Sequence, residues 1–308
     1  MNPRRAHLSV PLLLLALSGA RMPVSAPSAT PNGPQLMLAS RGDARVFIFG
    51  FGEAKDTSWL TQKIRTAFEQ SSELWLETAP PNASTTQTPA ERQAVAERVF
   101  RLSHETGRTL FDALEPAVRE RTLAYVAELG IDVDSIRSLR PWKAYYSIVS
   151  AFWSKRKVTD HAVYVDAVLR EMAGKAGMRV GYEFPTSDAS LSFFASISDK
   201  AQSEYMEWLL DFLDDYKVGR NDDGETFGWI SGDRGNAPTR SLNRMRTKQT
   251  ALYELMQPAR NAWWARKIDE LLARKGTYFI GVGQLHVLGP DGIPTQLARL
   301  GVGVEPVQ

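Results

Sequence analysis

Two segments of the chain share one pattern, in which an aromatic and β-branched run leads through Gly-x-Gly into a polar residue. They are residues 47–53 and residues 278–284. A short apolar run without alternation is typical of a strand that is buried on both faces, as in a parallel sheet covered by helices. Apolar residues at helical spacing follow each run. The repeat therefore predicts two pseudo-symmetric strand–loop–helix units that share one sheet.

Helical spacing also fills the stretch between two further predicted strands. Residues 73–77 and 178–183 have the composition of strands, and between about 89 and 175 apolar residues recur mainly at helical spacing. A strand–helix–strand connection favours parallel strands. The sequence thus predicts an α/β fold with a mixed, mainly parallel sheet and a large helical insertion at about 89–175. We expect a single domain over residues 42–308.

The first 29 residues predict a secretory signal peptide and the start of a linker. Arg4 and Arg5 precede an apolar run over residues 8–20 that ends in small residues, and this order is typical of a cleaved export signal. The alternative is a short membrane anchor, although the run is shorter than the ~20 residues that a spanning helix needs. Residues 30–41 predict a linker. We expect a periplasmic or secreted protein, with membrane contact only through an uncleaved signal.

The composition argues against thiol chemistry and against nucleic-acid binding. The 308 residues include no cysteine, which excludes disulfides, thiolate metal sites and a cysteine nucleophile. Residues 1–29 contain three Arg and no acidic residue, so their removal changes the formal charge from +2 to −1. A near-neutral mature chain has no electrostatic basis for binding nucleic acid. We expect a peptide or a small molecule as the substrate, and no nucleic acid.

Four polar side chains follow the predicted strands at the point where each strand ends. Glu53, Glu77, Glu183 and His286 hold these positions. In an open α/β sheet, ligands bind outside the carboxyl ends of the strands. Acidic side chains are costly to bury unless they are paired or bind a cation. The sequence therefore predicts a functional site at this edge of the sheet.

The C-terminal segment resembles the TraB/GumN family, which includes the Tiki proteases. In that family a strand ends in a Gly-x-x-His loop, and a turn and a helix follow; residues 278–292 have this order, with Gly283 and His286 in the loop. Further matches in order and spacing are Trp75-Leu76-Glu77, Pro141-Trp142, Val165-Asp166 and Arg260-Asn261. The resemblance covers about residues 42–306 and implies one α/β domain.

The resemblance also implies a metal site made of two histidines, one from each Gly-x-x-His loop, and a glutamate. The second histidine corresponds to His286 and the glutamate to Glu77, but Gly-Phe-Gly-Glu at residues 50–53 places Glu53 where the first histidine belongs. A second alignment, to the Gly-Glu-Ala-Thr-His stretch of the distantly similar erythromycin esterases, places Asp56 there. The implied catalytic residues are Glu53, Glu77 and His286, and the implied metal ligands are these three with Asp56.

Replacing one imidazole by a carboxylate makes the implied donor set harder. Oxygen ligands favour Mn²⁺, Mg²⁺ or Ca²⁺ over Zn²⁺, so we expect one such divalent cation as the cofactor. A pseudoenzyme would hold no metal, and Lys55 or Arg260 would then neutralise the acids. Glu183, Arg260 and Lys55 are the expected supporting residues. For Glu53, an ion pair with Lys55 is the alternative, and for His286 a structural role.

Three functions follow from the resemblance and these residues. The first is an exported divalent-metal-dependent hydrolase, with peptide bonds as one substrate class. The second is a catalytically inactive family member that binds a peptide or polymer in the same cleft. The third is an esterase-like hydrolase. No Gly-x-Ser-x-Gly elbow, Walker loop or His-Glu-x-x-His helix occurs in the sequence.

Overall fold

The computed structural model describes residues 33–80, 88–156, 163–220, 228–232 and 236–307. Its strands are β1 (Leu36–Arg41), β2 (Ala44–Phe51), β3 (Glu73–Thr78), β4 (Arg179–Phe184), β5 (Thr277–Gly283) and β6 (Val304–Pro306). They form one sheet in the order β4-β3-β5-β2-β1-β6. Strands β2 to β5 are parallel, and β1 runs antiparallel to β2 and β6. The predicted mixed, mainly parallel α/β fold is confirmed.

The domain begins earlier than the sequence analysis predicted. Residues 36–41, assigned there to a linker, form β1 and pair with β2 along their whole length. A two-residue turn with Gly42 at φ +59° joins the two strands, which is the left-handed region where glycine carries no steric penalty. Leu36 and Ala39 are buried in the sheet. The predicted signal peptide, residues 1–29, lies outside the described residues.

Helices make up most of the remaining described chain. They are α1 (Gln62–Glu69), α2 (Pro89–Ser103), α3 (Pro116–Leu129), α4 (Val133–Ile136), α5 (Pro141–Lys155), α6 (Val165–Lys175), α7 (Ser187–Ser196), α8 (Asp199–Lys217), α9 (Asn236–Thr247), α10 (Thr250–Glu254), α11 (Arg260–Leu272) and α12 (Ile293–Arg299). None of these helices is both long enough and apolar enough to cross a membrane. Helices α2 to α6 occupy the predicted insertion, and a second helical stretch, α7 to α11, lies between β4 and β5.

The two repeated segments lie side by side in the sheet. Strands β2 and β5 pair in parallel, with Phe47 opposite Phe279 and Ile48 opposite Ile280. Their side chains alternate between two apolar cores, since Phe47 and Phe279 pack with α1 and α6 whereas Ile48 and Ile280 pack with α11 and α12. Both faces of the central strands are therefore covered, which explains their continuous apolar sequence.

A third apolar core belongs to the helices themselves. It is formed by buried side chains of α3, α4, α5 and α7 to α10, and it includes Trp142 and Tyr145 of α5. Leu285 and Leu288, from the segment that leaves the carboxyl end of β5, pack against it. This helical body therefore lies against the carboxyl edge of the parallel strands, where the sequence predicts the site.

Candidate functional site

Glu77 and Glu183 project from neighbouring parallel strands near their carboxyl ends. Glu77 lies in β3, Glu183 lies in β4, and the residues that flank them pair across the two strands. Arg260, the first residue of α11, binds both carboxylates: its Nη2 lies 2.7 Å from Glu77 Oε2 and 2.6 Å from Glu183 Oε2, and its Nε lies 2.8 Å from Glu183 Oε1. Trp264 Nε1, one helical turn further, donates to Glu183 at 3.1 Å.

The carboxylate of Glu77 stays ionised although it is buried. Burial alone would raise its pKa, but the charges of His286 and Arg260 and a hydrogen bond from the Gly283 N–H outweigh burial and hold the pKa of Glu77 well below its ordinary value. The Gly283 N–H lies 2.7 Å from Glu77 Oε1. The guanidinium of Arg260 has its own pKa raised further, since the two carboxylates outweigh the effect of burial.

His286 faces Glu77 from the turn that follows β5. The turn is a 3₁₀ helix, Gln284–Val287, and places His286 Nε2 3.6 Å from Glu77 Oε2. The other ring nitrogen, Nδ1, lies 2.5 Å from Asn261 Oδ1. The Asn261 amide nitrogen donates to the Asp291 carbonyl oxygen at 2.8 Å and to Gln257 at 3.2 Å. Asn261 therefore presents its oxygen to Nδ1–H, and the ring faces Glu77 with Nε2.

A π-helical turn positions Arg260 and Asn261 together. It spans Leu255–Ala259, contains Pro258, and lies between α10 and α11. Proline has no N–H to donate, and π turns within helices often occur at functional sites. Asn261 is fully buried, and the sequence analysis matched it to the family without assigning it to the site. Its place directly after Arg260 is the signal that the sequence offers for it.

Glu53 is half-buried, and its carboxylate has no hydrogen-bond partner among the described residues. Both of its carboxylate oxygens are shielded from solvent and unpaired, and burial raises the pKa of Glu53 well above its ordinary value. The backbone around it is anchored, because Trp229 Nε1 donates to the Glu53 carbonyl oxygen at 2.6 Å and Val163 N–H donates to the Ala54 carbonyl at 2.8 Å. The carboxylate of Glu53 therefore makes no hydrogen bond to Lys55, which was the alternative for this residue.

The other two predicted residues of this loop lie on the surface. Asp56 is exposed, and its pKa is lowered by hydrogen bonds from the Ser58 side chain and from the Ser58 backbone N–H, which lies 2.8 Å from Oδ1. Lys55 is also exposed. Asp56 therefore acts as a local turn acceptor in this structure, and neither residue joins the Glu77–His286 pair.

Of the four predicted metal ligands, Glu77 and His286 lie together, whereas Glu53 and Asp56 do not join them. Across the described ranges, no three His, Cys, Asp or Glu side chains are arranged so that they could hold a metal ion. The strand order explains this, because β5 lies between β2 and β3 and thus separates the ends of those strands by ~10 Å, two strand spacings. Glu77 and His286 follow adjacent strands, and their separation of 3.6 Å suits two ligands of one ion with bonds near ~2 Å.

Glu53→Gln should stabilise the protein at neutral and alkaline pH. A folded-state pKa above the unfolded value of about 4.3 means that folding takes up a proton between these two pKa values, so the stability of the wild type falls as the pH rises through that range. Glutamine does not ionise and avoids this loss. We expect the variant to gain roughly 1–3 kcal/mol in free energy of unfolding at pH 8 relative to pH 4, measured by urea denaturation.

Asp43→Asn provides the matched control for that measurement. Asp43 lies exposed in the turn between β1 and β2, so its amide variant should change stability by less than about 0.5 kcal/mol at both pH values. A Glu53→Gln variant whose stability difference from the wild type does not depend on pH would show that Glu53 is not held protonated by burial.

A family model covers almost all of the described chain. It carries the description TraB/PrgY/gumN family and matches residues 36–306. No curated protein and no solved structure matches the chain. The matched segment begins with the first residue of β1 and ends with the last residue of β6, so the whole sheet and every residue of the site lie within it.

Proposed function

Because the chain belongs to the TraB/PrgY/gumN family, we propose that it is an exported hydrolase that acts on peptide bonds at the Glu77–His286 pair with the help of one divalent cation. The single observation that carries this proposal is the orientation of His286. Its Nδ1–H is committed to Asn261 and its Nε2 is directed at an ionised carboxylate 3.6 Å away. Metal-binding histidines are held in this way by a partner on the second nitrogen.

Glu77 and His286 would hold the cation, and water and substrate would complete its shell. Mg²⁺ usually keeps several waters and binds through one or two carboxylates, whereas Zn²⁺ sites in enzymes have three protein ligands. One carboxylate and one imidazole therefore favour the harder ions. When bound, such an ion polarises a carbonyl group and lowers the pKa of a bound water.

The remaining residues of the site keep Glu77 and His286 ready to bind. Together with His286, Arg260 and the Gly283 N–H keep Glu77 ionised by lowering its pKa, and Glu183 holds Arg260 in place through two hydrogen bonds. Asn261 holds the Nδ1–H of His286. Each of these groups acts through Glu77 or His286, so they are positioning residues rather than groups that touch the substrate.

A second function is favoured by the Arg260 contacts. Arg260 neutralises Glu77 and Glu183 in the way that the sequence analysis expected for a pseudoenzyme, and the acids then need no metal. In that case the same edge of the sheet binds a peptide or polymer without cleaving it. An esterase-like hydrolase is the third candidate, because the same pair of residues suits an ester carbonyl as well as an amide.

The test starts from protein purified from the envelope fraction of expressing cells, with its mass determined. We expect the mass of a chain cleaved between about residues 20 and 29. Calorimetric titration with Mn²⁺ and Zn²⁺ should show saturable binding in the wild type, stronger for Mn²⁺, and none in Glu77→Gln. A screen of peptides and esters should find metal-dependent turnover that Glu77→Gln lacks. Peptide binding with no metal binding and no turnover would favour the pseudoenzyme.

A further inference from the structure

The outer edge of β4 is unpaired in the described part of the chain. β4 is the last strand on its side of the sheet and pairs with β3 alone. None of its six residues is buried, whereas most residues of β2 and β5 are. No backbone hydrogen bond from another described segment reaches Gly181 or Glu183 of β4. The strand also contains no proline or lysine, the residues that often block such an edge.

The main-chain groups of alternate β4 residues point away from β3. Along a strand, the N–H and C=O groups of successive residues point to opposite edges, so that every second residue bonds the same neighbour. The Phe184 carbonyl oxygen accepts the Ala79 N–H at 3.0 Å, which shows that the main chain of Phe184 points towards β3. Counted back from there, Arg179, Gly181 and Glu183 present their main-chain groups at the open edge.

Solvent reaches the main chain at this edge. Gly181 has no side chain and is partly exposed. Glu183 is also partly exposed although only 6% of its side chain is exposed, so its exposed surface belongs mainly to its main chain. Unpaired N–H and C=O groups along an edge are a template for another extended chain. They recur every ~6.6 Å, two residues of a strand, and this spacing matches the main chain of a second β-strand.

The size of the β4 edge favours a peptide over a second copy of this chain. Its six residues at ~3.3 Å each give a length of ~20 Å, and with a sheet ~10 Å thick the edge offers roughly 200 Å². A stable dimer buries about 800 Å² on each partner. A peptide that adds a strand to an edge is held mainly by main-chain hydrogen bonds, which the open groups of β4 supply.

The open edge lies close to the Glu77–His286 pair. Glu183 of β4 binds Arg260, which in turn binds Glu77 of the next strand. A chain added beside β4 would lie two strand spacings, ~10 Å, from β3. About three extended residues cover that distance. A peptide held on β4 can therefore present to the pair a bond that lies a few residues beyond the held segment.

We propose that the outer edge of β4 binds the main chain of an extended peptide as an added strand, next to the Glu77–His286 pair. The proposal deepens the proposed function, on which the role of the peptide as substrate rests. It names the substrate class as an unfolded polypeptide segment that is recognised through its main chain. Such recognition depends little on the side chains of the segment, since main-chain groups are common to all sequences.

A series of N-methylated peptides tests the added strand. The probe is acetyl-Lys-Thr-Val-Thr-Val-Thr-Lys-amide with a fluorescent label on its first lysine, and each further peptide carries one backbone N-methyl group between the two lysines. Fluorescence anisotropy gives the dissociation constants. We expect methylation at every second position to weaken binding at least about tenfold, because it removes a main-chain hydrogen bond and places a methyl group against β4. The intervening N–H groups point away from β4, so their methylation should change the dissociation constant less than about twofold.

Arg179→Pro tests the same edge from the side of the protein. Proline removes the outward N–H of residue 179 and is tolerated at the first residue of a strand. The matched control Arg179→Ala keeps this N–H and loses only the side chain, whose guanidinium lies 3.8 Å from Glu73. We expect Arg179→Pro to weaken binding of the unmethylated probe at least about fivefold, and Arg179→Ala to stay within about twofold of the wild type. Cooperative urea unfolding checks that both variants fold; if Arg179→Pro does not fold, the methylated series decides alone.

The outcomes separate this inference from the proposed function. No saturable binding of the unmethylated probe, or losses without alternation along the methylated series, would overturn the inference whatever the hydrolysis assay shows. So would a dimer of the wild type in analytical ultracentrifugation that Arg179→Pro dissociates, because the edge would then pair with a second copy. If the losses alternate but the wild type hydrolyses no peptide or ester, the added strand stands and the hydrolase proposal fails.

Discussion

Replacing Arg260 with methionine should lower the free energy of unfolding by about 3–5 kcal/mol, the usual loss when one partner of a buried ion pair is removed. Arg260 is 7% exposed and is the cation that binds both Glu77 and Glu183. Methionine fills a similar volume but leaves the two acids facing each other without a counter-charge. Urea denaturation at pH 7 measures the change.

Three comparisons identify the cause of that loss. Arg260→Lys should be intermediate, because lysine keeps the charge but cannot donate to two carboxylates in the fork geometry of arginine. Adding Glu77→Gln and Glu183→Gln to Arg260→Met should restore much of the stability, since no buried charge remains. Arg41→Met, which breaks the exposed Arg41–Asp269 pair, should change stability by less than about 1 kcal/mol. A loss of less than about 1 kcal/mol for Arg260→Met would contradict the role of Arg260 as the buried counter-charge of Glu77 and Glu183.

The same ion network should make the protein sensitive to acid. The pKa of Glu77 is lowered in the folded state, so its contribution to stability is present above the ordinary glutamate pKa of about 4.3 and is lost as the pH falls towards the folded value. Glu53 has the opposite sign, because its raised pKa removes stability as the pH rises. Two glutamates at one edge of the sheet therefore favour a stability maximum between their folded pKa values.

The fold was predictable because its central strands have an unambiguous pattern. The runs that became β2 and β5 are apolar on both faces, and only a sheet covered by helices on both sides buries such strands. β1 was not predicted, because its six residues follow a Pro- and Ser-rich stretch and four of them are partly or fully exposed. A short strand that is joined to its main partner by a tight hairpin has little local signal apart from its turn.

The site was predictable where residues follow adjacent strands and not elsewhere. Glu77, Glu183 and His286 lie at the ends of β3, β4 and β5, which are neighbours in the sheet. The pairing of strands is set by the whole chain, so the sequence could not show that β5 separates Glu53 from Glu77. Nor could it show the roles of Asn261 and Asp291, since their contacts depend on the π turn that orients α11.

His286→Ala should lower kcat/KM for the substrate found in the hydrolysis screen by about a thousandfold or more. A cation that stabilises the transition state contributes several kcal/mol, and each 1.36 kcal/mol corresponds to a factor of ten in rate. The His286 imidazole is one of the two groups placed to hold that cation. Among the described contacts, Arg260 and His286 are the two side chains that face Glu77, and alanine removes the second of them. Steady-state kinetics with added Mn²⁺ measures the loss.

Asn261→Leu should produce a smaller loss of about 10- to 100-fold, the usual effect of removing the partner that orients a metal-binding histidine. Leucine leaves the imidazole in place but removes the acceptor for Nδ1–H, so the neutral ring can shift its proton to Nε2 and present a donor instead of a lone pair to the cation. The order of the two losses in kcat/KM therefore tests which ring nitrogen of His286 carries the proton. If His286 had only a structural role, the two variants would lose stability but their rates would not follow this order. Activity of His286→Ala above about a tenth of wild type would contradict the assignment of His286 to the reaction, since it corresponds to less than one factor of ten.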